Sequence, residues 1–523
     1  MEGIVDTVVL IVIAVTGAAL ARRLGFVAPL VLLVAGLGLS FVPGVPVVHV
    51  EPELVLVGIL PPLLYVAALQ TSVPAFRRAL RPIMLLAVGL VVFTALITGF
   101  LLHLLLPQVP LAACVALGAV VAPPDAVSAT AIARRIGLPR RIITLLEGES
   151  LLNDATALVM VRIAGAALTG TAVGFWEIGR DVVVIAGGGL ALGFAAAFLA
   201  ARLHRWIEDP LLDDALSLLT PFVVVVVAEK LHTSSVVAVV VAGLYLGHRS
   251  PQLLSPTSRL QMDAVWRLIT FLLEGVVFLL VGLQLRDLVA DLETGLVTTV
   301  QATALVLGAI VVLRFVWMYP ATYLVRLIPR IRDREERPPV GQPTVVAWAG
   351  MRGVVTLAAV LTLPASDEVP GGYPRDLFVF VAFAIIVLTL LIQGTTLPWL
   401  ANRLGVREDT GTADALAEAA VQTRATRAAL DALERQAGDA PASVVERLRA
   451  MAEHRDHGAW ERLGRQDRET PSAAYRRLRH DMIVAEREVF RTARDEGRIP
   501  DEVLTRAQRD LDLEESQLHR AED

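Results

Sequence analysis

The stretch LLEGESLLNDATALVMV, residues 145–161, places Glu147, Glu149, Ser150, Asn153 and Asp154 inside an otherwise apolar run. Carboxylate, amide and hydroxyl groups are hard oxygen donors. Their chemistry at such a place is reversible: holding an alkali cation, holding a proton, or pairing with a buried arginine. A helix turns ~100° per residue, so Glu147, Ser150 and Asp154 share one side, and Glu149 and Asn153 share another. The first side suits an ion path leading to Asp154, and the second a structural ion pair. Glu147 stands roughly 10 Å along the helix from Asp154. Hydrolytic chemistry is not indicated: Leu152 stands where a nucleophile elbow around Ser150 needs its second glycine.

The elements that carry these groups are membrane spans. The chain has 523 residues, 55% of them hydrophobic and only 19% charged, with a mean hydropathy of +0.62. That composition marks a polytopic, all-helical membrane protein. Residues 1–402 hold the apolar runs and form a transmembrane domain. Residues 403–523 are crowded with Arg, Glu, Asp and Ala and form a cytoplasmic helical tail. The single cysteine, Cys114, rules out an intrachain disulfide and a cysteine-based metal site. Glu2 and Asp6 stand where a signal peptide needs basic residues, so the first apolar run reads as a retained span.

Thirteen candidate spans are expected, at about 3–21, 26–42, 52–70, 82–106, 110–134, 142–168, 180–203, 211–231, 235–248, 262–285, 296–327, 343–364 and 374–400. Arginines crowd the loops after the odd-numbered spans, as at Arg22–Arg23, Arg77–Arg81, Arg134–Arg141, Arg202–Arg205 and RLIPRIRDREERPP; the other loops are poor in Arg and Lys. The alternation places the N-terminus outside and the C-terminus in the cytoplasm of a multi-pass cell-membrane protein. An odd count makes spans 1–6 and 8–13 two inverted six-helix repeats joined by span 7. Matched positions of the two repeats carry helix breakers: VVAPPDAVS in span 5, with Pro123, Pro124 and Asp125, and AWAGMRGVV in span 12, with Gly350, Arg352 and Gly353. Interrupted helices are expected at both.

Charge at mid-bilayer is costly and needs a partner or a wet cavity. The deep set is Asp125, Glu147, Glu149, Asp154 and Glu274 against Arg314 and Arg352. Acids exceed bases, so some acids bind cations or protons. Glu274 and Arg314 sit mid-span in sequential antiparallel helices; either they pair with each other or Glu274 lines the ion path. Glu147 is either an acid on the cytoplasmic approach or a loop or headgroup contact. Arg162 is expected to snorkel at the outer end of span 6.

GESLLNDATALV, followed far downstream by AWAGMRGVVTLAAVL, resembles the sodium/proton exchanger family in its NhaP-like bacterial branch. APPDAVSATAIARRIGLP, LPPLLYVAAL and AEKLHTSSVVAVVVAGLYLG are similar as well, and the likeness spans nearly the whole membrane domain. It implies an antiporter and a homodimer, whose core domain moves like an elevator against a dimerisation domain. It further implies that Asp154 binds Na+ and H+ in turn, that Asn153 marks electroneutral exchange, that Glu149 and Arg352 form a buried structural pair, and that Asp125 is the acid at the span-5 crossover. Two positions depart from the pattern. Pro124 replaces the usual hydroxyl residue before Asp125, which leaves a backbone carbonyl, Ser128 or water to supply that ligand, beside Ser150 on the ion side of span 6. Val66, Ala67 and Ala68 stand where many relatives carry an acid in span 3, so K+ or Li+ stay open beside Na+.

The tail contains four helix-favouring stretches, with Pro441, Pro471 and Pro500 near the starts of three. It shows no nucleotide loop and no metal cluster. No cofactor and no nucleic-acid partner are expected; lipid, the transported cations and a second copy are. A cation channel is the alternative class, and it would not need one titratable carboxylate to couple two ions.

Overall fold

Every apolar stretch expected to cross the membrane folds as helix in the computed structural model, which describes residues 2–24, 27–43, 51–170, 175–329, 337–406, 410–438, 440–461, 463 and 470–520. The described residues are helix and connecting turns, without strands. The basic segment at 330–336 and the loop at 44–50, which carry part of the charge alternation, lie outside them. Contacts divide the chain into two compact units, residues 1–408 and 409–523.

In the first unit the helices are α1 (Glu2–Leu24), α2 (Ala28–Leu39), α3 (Leu54–Gln70), α4 (Val73–Leu105), α5 (Leu111–Val121), α6 (Ala126–Arg135), α7 (Arg140–Leu168) and α8 (Phe175–His204). They continue with α9 (Pro210–Lys230), α10 (Ser235–Leu253), α11 (Pro256–Leu283), α12 (Leu285–Ala290), α13 (Leu296–Tyr323), α14 (Gly341–Trp348), α15 (Val354–Leu361) and α16 (Arg375–Arg403). Among the described residues, seven stretches are by themselves long and apolar enough to cross a membrane. The shorter apolar helices include α2, α3 and α5. Helix length alone therefore gives seven clear spans, fewer than the thirteen expected from the sequence.

Two expected spans are broken where their residues require it. Span 5 becomes α5 and α6, separated at residues 122–125. Pro123 and Pro124 lack amide hydrogens and clash with a preceding helical turn. Span 12 becomes α14 and α15, separated at 349–353 around Gly350 and Gly353. Wide, π-type turns occur at Leu54–Ile59 in α3 and Leu85–Leu90 in α4. The second leaves the Leu85 carbonyl to accept from the Trp317 indole at 3.1 Å.

The core is apolar and tightly packed. One hydrophobic cluster runs through α1, α2, α4, α5, α7, α11 and α13–α16. A second joins α3 and α8–α10 to parts of α4, α7 and α11. Close backbone approach substitutes for the water-driven effect that helices lack in lipid. α2 and α11 show it directly. A Cβ at Gly282 would lie 2.5 Å from the Leu33 carbonyl oxygen and 2.8 Å from the Gly36 Cα, so both glycines are needed for that contact.

The second unit is helical: α17 (Thr410–Gln436), α18 (Ala442–Glu461), α19 (Pro471–Asp495) and α20 (Asp501–Arg520). The first two pack on each other, and so do the last two. Arg479 joins α19 to α20 with hydrogen bonds to Glu514 at 2.6 and 2.7 Å, and also holds Glu486 at 2.8 Å. Arg487 adds Asp512 and Glu515, each at 2.6 Å. Their multiplicity, rather than any single exposed pair, is what holds this hairpin.

Candidate functional site

The two breaks meet. The Asp125 amide donates to the Met351 carbonyl at 2.7 Å, a backbone hydrogen bond from one interrupted span to the other. Asp125 is also the N-cap of α6: its carboxylate accepts from the amides of Val127 at 3.3 Å and Ser128 at 3.0 Å. This satisfies two of the donors that a helix start leaves open, and it places a negative charge on the positive end of a helix inside the membrane domain. Gly353 makes the crossing possible. A Cβ there would lie 2.6 Å from both Cβ and Cγ of Asp125, closer than real side chains approach.

Arg352 occupies the other side of the crossing and is buried. Its Nε donates to the Val121 carbonyl at 2.8 Å and its Nη2 to the Ala122 carbonyl at 3.2 Å, while Nη1 is bonded to the Gly350 carbonyl. Its amide donates to Thr389 Oγ1 at 3.0 Å. The guanidinium thus caps the C-terminal end of α5, where helix carbonyls lack partners and carry partial negative charge.

That arrangement corrects the expected Glu149–Arg352 pair. Glu149 is bound by Arg314 instead, through Nη1–Oε1 at 2.5 Å and Nη2–Oε2 at 2.8 Å, and both side chains are almost wholly buried. The expected Glu274–Arg314 pair falls with it. Arg314 reaches Glu149 because α13 packs on α14 and because Gly350 leaves room: a Cβ at Gly350 would stand 2.8 Å from Arg314 Cδ. The Val346 carbonyl accepts from Nε and Nη2, each at 3.3 Å. The resemblance pairs the acid with the arginine of the glycine-rich motif, but the carbonyls that a broken helix frees satisfy Arg352 without an acid.

The helix carrying the opening stretch, α7, presents its two sides as the angles require. Glu149 faces Arg314. Asn153 is fully buried, and its Nδ2 donates to the Pro124 carbonyl at 2.9 Å, fastening α7 to the break in span 5. Its Oδ1 has no partner among the described residues. Glu147, Ser150 and Asp154 face elsewhere and line one cavity of about 270 Å³ together with Asp125, Thr270 and Glu274. Asp154 is 5% exposed and makes no hydrogen bond or ion pair among the described residues. At the same cavity Glu147 pairs with Arg134 at 2.7 Å. Ser128 does not line the cavity; it is buried and supplies its amide to the Asp125 cap. Arg162 stands 4.0 Å from Glu229, both half-exposed.

Several functional positions were missed in the sequence. Thr389 is one hydroxyl in an apolar helix, with no local pattern to mark it. Gln70 and Thr270 also line the cavity. Thr270 lies four residues before Glu274, a same-face spacing on α11 that could have drawn attention to it.

Chemically, the site offers hard oxygen ligands around a cavity of about 270 Å³, with two carboxylates, Asp154 and Glu274, committed to no protein partner among the described residues. The neighbouring charges are fixed by caps and by a two-point ion pair. The chemistry of such a set is that of a site able to take a small cation or a proton.

The family described as sodium/hydrogen exchanger, transmembrane, matches residues 10–403. An uncharacterised Na+/H+ exchanger of Mycobacterium tuberculosis is 35% identical, over 99% of this chain and 96% of that protein. A sodium, potassium, lithium and rubidium/H+ antiporter of Bacillus subtilis is 31% identical, over 71% of this chain and 57% of its own length. Among solved structures, the sodium proton antiporter MjNhaP1 of Methanocaldococcus jannaschii superposes with a TM-score of 0.63 at 18% identity, covering 78% of this chain and all of that one. At that identity the likeness is one of fold.

Proposed function

We propose that this chain, which belongs to the sodium/hydrogen exchanger family, exchanges Na+ for H+ across the cell membrane by competition at Asp154. The observation that carries the reading is Asp154 itself: a buried carboxylate, open to a cavity, at the crossing of two broken helices, without a protein partner among the described residues. Ser150 shares the cavity and completes the oxygen set with Asp125, while Asn153 and Ser128 hold the neighbouring backbone in place.

Mechanism follows from exclusivity. A single carboxylate binds Na+ or H+, never both, so each passage of the site from one side to the other carries one or the other. Binding alone moves nothing; the site must face the two sides alternately. With Asn153 neutral, one Na+ replaces one H+ and no net charge crosses. Glu149 and Arg314 keep α7 and α13 in register and take no part in ion binding. Arg352 holds the two breaks together as the site moves.

The same reading takes the fold as thirteen spans in two inverted repeats, the N-terminus outside, the tail in the cytoplasm, and two copies forming a dimer. The alternation of arginine-rich loops and the matched breaks in spans 5 and 12 support it. Li+ and K+ are further candidate substrates, favoured by the breadth of cations in the name of the Bacillus relative.

The test is exchange in proteoliposomes loaded with a pH dye, pulsed separately with Na+, Li+ and K+. An electroneutral exchanger gives the same initial rate with and without an ionophore that clamps the membrane potential. A rate that rises severalfold on clamping contradicts one-for-one exchange.

A further inference from the structure

Glu274 is a carboxylate in mid-helix whose expected partner is taken: Arg314 binds Glu149 at two points. Among the described residues Glu274 makes no hydrogen bond or ion pair, yet its helix is long, apolar and otherwise well packed. An acid in such a helix is costly unless it faces water or a cation. It faces the cavity that also holds Asp125 and Asp154. Thr270, one turn earlier on α11, lines the same cavity, and its Oγ1 is buried without a partner among the described residues.

The two walls of this cavity have different attachments. Asp125 and Asp154 stand on α6 and α7, next to the helix breaks. Glu274 and Thr270 stand on α11, which interlocks with α2 through Gly36 and Gly282. The charged lining is Asp125, Glu147, Asp154, Glu274 and Arg134, and Arg134 is already paired with Glu147. The cavity lining therefore holds four acids against one base, with hard oxygen atoms contributed by α7 and by α11.

We propose that Glu274, with Thr270 Oγ1, is a second cation station of the cavity: a monovalent cation rests there on its way to Asp154, and the station sets the apparent affinity for the cation. This rests on the reading of Asp154 as the exchange site and adds a residue to it. Glu274 does not exchange a proton for the cation across the membrane. It raises the local concentration of cation where Asp154 releases its proton.

The experiment compares E274Q, T270V and D154N in full-length protein, in the same proteoliposomes, with thermal melting as the control for folding. E274Q should exchange Na+ for H+ at a maximal rate within twofold of wild type, but with an apparent KM for Na+ raised by about tenfold, the change that ~1.4 kcal/mol of lost cation attraction produces. T270V should shift the preference between Na+ and Li+ by a smaller factor. Wild-type KM values for Na+, Li+ and K+ in E274Q overturn the proposal. So does complete loss of exchange in a normally folded E274Q, which would put Glu274 in the exchange site itself. Should E274Q fail to fold, E274D retracts the charge by one methylene and carries the test: a raised KM supports the station, and an unchanged one overturns it. Exchange retained in D154N defeats the underlying site instead, whatever E274Q does.

Discussion

Replacing Glu149 by glutamine keeps its shape and removes its charge. The Arg314 guanidinium then stays buried, 2% exposed, with the Val346 carbonyl at 3.3 Å as its remaining strong acceptor. Two charge-assisted bonds of 2.5 and 2.8 Å are lost or weakened. Removing one partner of a buried pair costs roughly 3–5 kcal/mol, because the other charge is left without compensation. Removing both costs less than the two single losses added together: E149Q combined with R314M leaves neither charge buried without its partner. The assay is a double-mutant cycle on melting of the purified protein in detergent. E149Q should melt well below wild type, R314M likewise, and the double variant should recover most of the loss. The same cycle run between Glu149 and Arg352, which share no hydrogen bond, should show a coupling well below that between Glu149 and Arg314. Wild-type melting of E149Q, or strong coupling of Glu149 to Arg352 but not to Arg314, would refute the assignment.

Gly353→Ala should impair folding or exchange severely, since its Cβ would meet the Asp125 side chain at 2.6 Å, and that carboxylate is held by its bonds to the Val127 and Ser128 amides; expression and melting check it. Thr389→Val leaves the buried Arg352 amide without its acceptor and should cost about 1–3 kcal/mol, read as a lowered melting temperature with unchanged cation preference. Competition at Asp154 fixes the sign of the pH effect: raising the pH removes the competing proton, so the apparent KM for Na+ should fall, by up to about tenfold per pH unit while the proton still dominates. In the tail, hydrogen bonds from Arg479 hold the Glu514 carboxyl below its ordinary value. Their contribution is present above the ordinary glutamate value and is lost as the pH falls through the lowered one, so the protection factors of amides in α19 and α20 of the full-length protein, after correction for intrinsic exchange at each pH, should fall in that acidic range and stay level between neutral pH and pH 9.

Much of the site was legible in the sequence because its logic is local. The ~100° turn of a helix separates Glu147, Ser150 and Asp154 from Glu149 and Asn153 without any tertiary information. Pro123–Pro124 and Gly350–Gly353 announce broken helices through backbone chemistry alone, and both breaks occur. The apolar runs mark where helices lie, to within a few residues at their ends. The ion pair was not legible, because two buried arginines competed for one acid across three helices. Choosing between them needs the position of α13 beside α14 and the count of carbonyls freed at residues 121, 122 and 350. Thr389 and Gln70 carry no sequence signal that distinguishes them from packing positions, and Thr270 carries only its spacing of four residues from Glu274. The sequence left Glu274 between partner of Arg314 and cavity acid; the capture of Arg314 by Glu149 removes the first alternative.

Direct proton release tests the central claim. Purified protein in weakly buffered detergent, near the pH where exchange is half-maximal, is titrated with Na+ while the proton concentration is followed. Competition at one carboxylate predicts a saturable release that reverses on Na+ removal, approaches one proton per bound Na+ where Asp154 starts protonated, and is absent in D154N. Binding of Na+ without release of protons, or an undiminished release from D154N, would contradict it.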